Sequence, residues 1–568
     1  MSAQIELLNE ETLALSFPYD AERVCSLKLL QNRRWNAAKR RWEVHLSHLA
    51  DVMKIFGLMP GEVSEEILIV YRKNWIRCRL KVELGLLEGR LAGSGAPLEA
   101  IDQATSFFVP GYRFSEKFQA GQWDGKRHLF SPRTHRFPAG LWPRVRKILA
   151  AHEVEYELLE QASVRGREGN GLGAGPARKP LRDYQQGALE AALRGRRGII
   201  QMATGGGKTL LAAHLIRRIG QPAFFFVHTL DLLYQNAEVF GEELGVEVGV
   251  LGDGQANLRP LTVATVQTVL RAFGAARAGK KPPKTADGEE DEQAREERLT
   301  NLDEATCHQV REAVEAVGVV IFDECHHLPA DSFYKIAMHT RGAGWRFGLS
   351  ATPWRDDGHD LLLEAALGEK LSITNLSDLI ERRFLVPPRI RMAPAPRPRL
   401  KWHGLRYQDC YQQAIVENRE RNRAIAAQAR CWADEGRSVL ILVAHVSHGQ
   451  RLLELLPEAN FVHGSLDSAS RQRALKELEQ KLRPIMIATT LADEGLDIPS
   501  LDAVILGGGG KSQTRAYQRI GRALRAAPGK TEARVLDFLD EAPYLREHSQ
   551  ARIALYRQEP RFFIEGEF

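Results

Sequence analysis

No two cysteines in this chain are spaced C-x-x-C, and the six present (Cys25, Cys78, Cys307, Cys325, Cys410, Cys431) are scattered. That argues against a zinc ribbon or a disulfide framework and for a reducing, intracellular compartment. Long apolar runs are also missing. Stretches such as 317–322 fall far short of the roughly 20 residues that span a bilayer, and the opening MSAQIELLNEE is acidic rather than basic-then-apolar, so neither membrane insertion nor secretion is signalled. Compositional extremes are absent too: 44% hydrophobic and 26% charged residues exclude wholesale disorder and fibrous repeats. What is present is length. At roughly 100–200 residues per domain, 568 residues hold about three to five folded units.

The net charge of +6 is unevenly spread. Residues 1–180 carry 27 Lys+Arg against 21 Asp+Glu, which leaves 78 − 27 = 51 basic and 72 − 21 = 51 acidic residues for the remainder. The whole excess sits in the first third, as a polyanion partner would favour, although a solvated surface is the plain alternative. A Gly- and Arg-rich stretch, QASVRGREGNGLGAGPARK, marks a linker over 161–180. A second polar stretch, about 274–303, has too little apolar content for a core and is expected to be a mobile insertion.

Beyond the linker, short β-rich runs (GIIQM, AFFFVH, LTVATV, VGVVIFDE, RFGLSAT) alternate with helical patterns. The rhythm restarts after about Leu371 with SVLILVAH, NFVHG, PIMIATT and LDAVILGG. Alternation of this kind predicts α/β folding with parallel sheets, here as two tandem domains. The front reads instead as small α+β modules.

After GIIQM come Ala203, Thr204, Gly205, Gly206, Gly207, Lys208 and Thr209, then the helical LLAAHLIRRI. A glycine loop between strand and helix lets backbone N–H groups close on phosphate oxygens. Lys208 can reach the β- and γ-phosphates and Thr209 can hold Mg²⁺. The strict pattern asks for Gly where Met202 stands, and a purely structural glycine turn is the alternative. Further on, VGVVIF runs into Asp323, Glu324, Cys325, His326 and His327. Adjacent carboxylates at a strand end suit two tasks: Asp323 to bind Mg²⁺, Glu324 to orient and deprotonate the attacking water. Five consecutive residues cannot easily converge tetrahedrally on zinc, so no zinc is expected.

These motifs resemble the superfamily 2 helicases and translocases, P-loop ATPases with two RecA-like domains, whose DEAH-type box DECHH matches. Tyr184-Gln185 resembles the adenine-reading glutamine region and Ser350-Ala351-Thr352-Pro353 the motif coupling ATP to nucleic acid. TTLADEGLDIP, with Thr489, Thr490, Gly495 and Asp497, resembles the fifth motif, and QRIGRALR, with Gln518, Arg522 and Arg525, the sixth. The resemblance implies ATP and Mg²⁺ as cofactors, nucleotide contacts by Gln185, Thr204, Gly495 and Asp497, catalytic roles for Gln518, Arg522 and Arg525, and nucleic-acid contacts by Thr229, Thr265, Thr489 and Thr490. Arginines supplied from a facing domain make hydrolysis conditional on closure.

Trp354-Arg355-Asp356-Asp357-Gly358 is similar to the R-E-D element of the XPB branch, with Asp in place of Glu, and implies coupling by Ser350, Thr352 and Arg355. The stretch 385–439 holds no long helical thumb insertion, which favours the UvsW type. Residues 107–141 resemble the N-terminal module of UvsW-type helicases, with its W-D-G-K turn. From Gly111 to Lys147 nine basic residues face two acidic ones, interleaved with aromatics that either stack on bases or form the module's own core. Arg113, Lys117, Trp123, Lys126 and Arg127 are the candidate DNA contacts. Residues 24–53 are weakly similar to the HARP module of annealing helicases.

The expected organisation is a HARP-like module (1–60), a UvsW-like module (61–160), the linker, and RecA-like domains over 181–372 and 373–568. The expected activity is ATP-dependent remodelling of branched DNA by a cytoplasmic, nucleoid-associated monomer, with an RNA–DNA hybrid as a further candidate partner. A DEAH-type RNA helicase, a restriction-system translocase subunit and a non-enzymatic binder are the alternatives. The last has no support from a chain that keeps Lys208, Asp323, Glu324 and both arginines.

Overall fold

The computed structural model describes residues 4–30, 32–75, 80–160, 172, 178–274, 302–326, 330–351, 360–396, 406–464, 466, 468–489, 501–509 and 520–566. The expected mobile insertion lies almost wholly outside the described residues. The chain forms two compact units: Met1–Ser106 with His128–Gln161, and Phe107–Arg127 with Ala162–Phe568.

The first unit holds two antiparallel-rich sheets. One runs Gln4–Asn9, Thr12–Ser16, Arg41–His45, Arg33–Asn36 from edge to edge. In Thr12–Ser16 the three central residues are buried: Leu13 and Leu15 share one face and join Leu27, Val44 and Val52 in a core, and Ala14 is buried on the other face. The helix Glu65–Trp75 contributes Ile67 to this same core, so the first module continues past residue 60. The second sheet runs Tyr156–Glu160, Leu80–Leu84, Glu88–Gly93, Arg136–Pro138.

The second unit carries two RecA-like lobes. In the first, eight strands among the described residues run Gln255–Asn257, Gly249–Gly252, Leu261–Thr265, Ala223–Val227, Val319–Phe322, Trp345–Ser350, Arg197–Met202, Lys370–Thr374. All pair in parallel except the first, which is antiparallel to its neighbour. The strands AFFFV, LTVAT and VVIF are buried at every position, as strands covered by helices on both faces must be. Among its described residues the second lobe has seven parallel strands: Asn460–Val462, Ile485–Thr489, Val439–Val443, Ala503–Leu506, Ala533–Leu539, Pro388–Pro394, Phe563–Glu565. Each run singled out in the sequence is one of these strands. Their order places the carboxyl ends of Arg197–Met202 and Val319–Phe322 on one rim with only Trp345–Ser350 between them, where open α/β sheets bind ligands.

Candidate active site

The phosphate loop leaves Arg197–Met202, is held at its start by Ala203 N–H donating to Thr374 O (3.0 Å), and enters the helix Lys208–Ile219. Gly207 caps that helix at φ +80°, and a Cβ there would lie 2.4 Å from Gln185 Nε2, so only glycine fits. Beneath the loop, Tyr184 Oη and Gln185 Nε2 both donate to Gly206 O, at 3.0 and 2.8 Å, and Gln185 Oε1 accepts from Arg182 N at 2.9 Å. Gln185 is buried, so the side chain expected to read adenine is in this structure a brace for the loop.

Asp323 and Glu324 follow the buried strand Val319–Phe322, and Asp323 N–H is anchored on Phe226 O at 2.9 Å. Burial, and then the charge of Glu324, push the Asp323 carboxyl up to about 6, against the pull of Lys208 and His228. Glu324 has φ +39°, a left-handed conformation that costs a non-glycine residue about 1–3 kcal/mol. Its N–H donates to Asp323 Oδ1 (3.0 Å), and its Oε1 meets Lys208 Nζ at 2.6 Å. A buried carboxyl whose ionisation is opposed by burial and a second carboxylate is an oxygen site short of positive charge, which suits a hard divalent cation. Thr209 fits as well. Its hydroxyl donates to Asn236 Oδ1 (3.1 Å) while Asn236 Nδ2 donates to Leu232 O (2.8 Å), so the proton points away and the oxygen lone pairs remain for a cation. Asn236 is buried on the helix Leu230–Leu244 and has no signature in sequence, being seven residues past Thr229 in an ordinary amphipathic run.

His326 turns inward. Its Nδ1 lies 2.5 Å from Ser350 Oγ and 3.5 Å from Glu324 Oε2, while Ala351 N–H lies 3.5 Å from the same carboxylate oxygen. Ser350, expected to couple ATP to nucleic acid, is thus joined to the acidic box through one imidazole. Among the described residues no three His, Cys, Asp or Glu side chains gather as a metal-holding group of that kind.

The second lobe closes on the loop. A Cβ at Gly521 would stand 2.9 Å from Thr204 Cβ, so the sixth motif packs directly on the phosphate loop only because residue 521 has no side chain. A Cβ placed on Gly205 would meet Arg525 Cγ at 3.6 Å and Nε at 3.9 Å, which puts the Arg525 side chain across the loop. Burial lowers the Arg525 pKa, and Arg522 is half-buried. Lys530 Nζ donates to the carbonyls of Leu501, Ala523 and Arg525, at 2.5, 2.6 and 3.0 Å, tying down the turn that presents Arg525. The lobes also meet through Arg471 with Asp231, and through Tyr184 against Phe384 with ring centroids 5.4 Å apart. Gln518, Thr490, Gly495, Asp497, Thr352 and Arg355 lie outside the described residues.

The threonines expected at nucleic acid are helix caps or strand ends. Thr229 Oγ1 accepts from Leu232 N (3.4 Å) at the start of Leu230–Leu244. Thr265 is fully buried and donates to Thr268 Oγ1 (2.8 Å), so it positions the helix Val266–Ala272. Thr489 ends its strand with a buried hydroxyl that has no hydrogen bond among the described residues. In the basic stretch, Trp123 Nε1 donates to Lys126 O (2.8 Å) and Lys126 N to Asp124 Oδ1 (3.0 Å), so the indole pins the W-D-G-K turn. Lys126 Nζ sits 5.1 Å above the Phe108 ring and the Arg127 guanidinium 5.7 Å above Tyr334, whereas Arg113 and Lys117 are exposed. Phe130 and Phe137 are core residues.

Three family models match in order along the chain: DNA helicase UvsW, N-terminal, over 97–159; type III restriction enzyme, res subunit, over 178–355; and helicase conserved C-terminal domain over 422–527. Together these matches support a superfamily 2 helicase of the UvsW/XPB-like kind. Members of this family are ATP-hydrolysing enzymes, and the phosphate loop, acidic box and sixth motif supply the parts for that reaction. Among curated relatives, the chain is 24% identical over 469 residues to the ATP-dependent DNA helicase uvsW of Enterobacteria phage T4, covering 77% of this chain and 86% of that one. It is 25% identical over 390 residues to the DNA 3'-5' translocase XPB2 of Sulfurisphaera tokodaii, covering 61% and 78%. Against putative helicase 22 of Sulfolobus islandicus filamentous virus identity is 31% over 252 residues, 41% of this chain and 44% of the relative, so the chain spans less than half of that protein. A fragment of a putative HsdR subunit of a type I restriction enzyme from Vibrio vulnificus matches with TM-score 0.50 at 16% identity, covering 78% of this chain and 75% of that one, a likeness of fold. Among the described residues no helix is long and apolar enough to cross a membrane.

Proposed function

We propose that this protein is an ATP-driven DNA motor that remodels branched or partly duplex DNA, including forks, junctions and R-loops, in repair or recombination. The observation that carries the reading is the UvsW N-terminal match at 97–159 in the same chain as two helicase matches. A motor alone would leave DNA and RNA equally eligible, since its motifs grip a sugar-phosphate backbone. The excess positive charge of residues 1–180 supports the same reading. The HARP-like and UvsW-like modules hold the DNA and add a strand-annealing tendency, while the RecA-like lobes over 181–372 and 373–568 move it. The working form is a cytoplasmic, nucleoid-associated monomer.

Hydrolysis follows from the residues in place. On nucleotide entry Lys208 exchanges Glu324 for the β- and γ-phosphates, and the released Glu324 carboxylate takes the proton of the attacking water. Thr209 and Asp323 hold Mg²⁺, which when bound neutralises developing phosphate charge. Arg525, with Arg522, adds positive charge at the γ-phosphoryl group from the second lobe, so turnover requires the closed cleft. Gln185 keeps the loop in shape, and Thr204, Gly205, Gly206 and Gly207 line it. Gln518, Gly495 and Asp497 complete the nucleotide site from the second lobe. His326 and Ser350, with Thr352 and Arg355, carry the state of the site toward the bound strand, which Thr490 contacts and for which the buried Thr229, Thr265 and Thr489 position the chain.

A second reading, a translocase subunit of a restriction system, draws on the res-subunit match over 178–355. ATPase and strand-separation assays over single-stranded, duplex, forked and R-loop DNA and single-stranded RNA test both. The proposal expects the greatest stimulation with forks or R-loops. Stimulation by unbranched duplex alone, without strand separation, selects the translocase reading, and stimulation by RNA alone removes both.

A further inference from the structure

Phe114 is the most exposed large apolar side chain among the described residues, at 87%. A single exposed hydrophobic residue ordinarily calls for no explanation, but this one stands on a rigid support. Tyr112–Phe114 is one 3₁₀ turn, closed by Phe114 N–H to Gly111 O (2.9 Å) and Ser115 N–H to Tyr112 O (3.0 Å), and followed by the short helix Glu116–Gln119. Gln119 Nε2 reaches back to Arg113 O (3.2 Å) and braces the turn from outside. Under it, Tyr112 stacks on Phe108 and meets Phe118 edge-on, both with centroids 4.8 Å apart. Val109 N–H donates to Gly125 O (2.9 Å), joining the entering chain to the pinned W-D-G-K turn. The aromatic neighbours of Phe114 therefore stack on one another in a half-exposed cluster, and its ring is left out of it.

Two further observations indicate what the ring meets. Its neighbours Arg113 and Lys117 are exposed cations, so the tip pairs one apolar ring with two positive charges, the combination that grips an unpaired base and its phosphates. The segment Phe107–Arg127 also groups with the ATPase lobes, and Arg127 lies over Tyr334 on the helix Ala330–His339 that follows the acidic box. A rigid tip attached to the motor can be driven against a duplex, whereas a tip on a loose tether could not.

The geometry points to Phe114 as a strand-separating wedge, whose ring takes the stacking place of the base displaced at the junction of single- and double-stranded DNA. Apolar side chains inserted at a base step unstack it, and the ring replaces the stacking that the base gives up. The inference rests on the DNA-motor reading proposed above.

Phe114→Ala and Phe114→Trp in the full chain test it, since an exposed ring can be removed without loss of core. The Phe114→Ala variant should keep DNA-stimulated ATP hydrolysis at saturating fork DNA within about twofold of wild type, yet separate forked duplex at least about tenfold more slowly, the scale of one base–aromatic stack. Phe114→Trp should restore separation. 2-Aminopurine placed at the fork junction should brighten on binding wild type and stay quenched with Phe114→Ala. Wild-type rates of separation and the same brightening with Phe114→Ala overturn the wedge while leaving the motor reading intact. Absence of DNA-stimulated hydrolysis in the wild-type protein overturns both.

Discussion

Lys208 Nζ stands 2.6 Å from Glu324 Oε1, so the lysine of the phosphate loop and the proposed base neutralise each other until a nucleotide separates them. Binding of the phosphates and release of the base are then one event. Glu324→Gln removes the competitor for Lys208. It should bind ATP at least as tightly as wild type and lose about 10²–10⁴-fold in turnover, whereas Lys208→Ala should lose binding itself. Calorimetric ATP titration beside steady-state hydrolysis checks this; weakened ATP binding by Glu324→Gln would refute the competition, and near wild-type turnover would refute the base.

Asn236 fixes the direction of the Thr209 hydroxyl. Asn236→Ala should raise the Mg²⁺ concentration for half-maximal hydrolysis by about 10–100-fold, as removal of a residue that orients a metal ligand does. Fluorescent-ADP binding in EDTA should be unchanged if the role is orientation. An equal loss with and without Mg²⁺ would show that Asn236 merely supports the fold.

Arg525 reaches the phosphate loop because Gly521 lies against Thr204. Arg525→Ala should cost about 10³-fold or more in turnover with little loss of ATP binding. Gly521→Val should hold the cleft open and cost on the order of 10²-fold by misplacing the same arginine. Because both changes disable one arginine, the double variant should be no slower than Arg525→Ala. Multiplicative losses would contradict this.

Lys530 is a half-buried cation bonded to three carbonyls, and burial lowers its pKa from 10.5 to about 8. Between those values the unfolded chain holds a proton that the folded protein has released, so this group adds stability as pH rises through that window. The melting temperature of wild type relative to Lys530→Met should therefore increase from pH 7 to pH 10. A difference that stays flat or falls removes this account of Lys530.

Arg113, whose guanidinium lies 5.6 Å over the Tyr112 ring with Nε donating to Tyr112 Oη (3.2 Å), and Lys117 are exposed, whereas Lys126 over Phe108 and Arg127 over Tyr334 are half-buried. Reversal of Arg113 and Lys117 together should weaken fork binding without unfolding. For each phosphate that the variant no longer neutralises, the slope of log affinity against log salt should flatten by about 0.9. Unchanged slope with a normal circular-dichroism spectrum would exclude both residues from DNA.

Much of this was legible along the chain. VVIF and AFFFV read as buried parallel strands because every position is apolar, and GGGKT reads as a phosphate loop because glycine, lysine and threonine are needed at adjacent positions. Such signals are local, so spacing alone carries them. Gln185 was located but not its use, since a glutamine near a P-loop has the same spacing whether it faces a base or the loop beneath it. Phe130 and Phe114 sit in one basic aromatic stretch with similar neighbours, yet one is buried and the other 87% exposed. Composition cannot separate them.

The sequence by itself determined the elements, the ATPase motifs and where the positive charge lies, because these depend on side-chain chemistry and on periods of two to four residues. Tertiary structure alone decided which distant residues became partners: Thr209 with Asn236, His326 with Ser350, Gly521 with Thr204, and Arg127 with Tyr334. Those pairs are separated by 24 to 317 positions, and they are brought together by strand order, by the return of a crossover helix, by the packing of one lobe on the other or by the grouping of Phe107–Arg127 with the lobes. A buried hydrogen bond or a missing Cβ has no one-dimensional period to announce it.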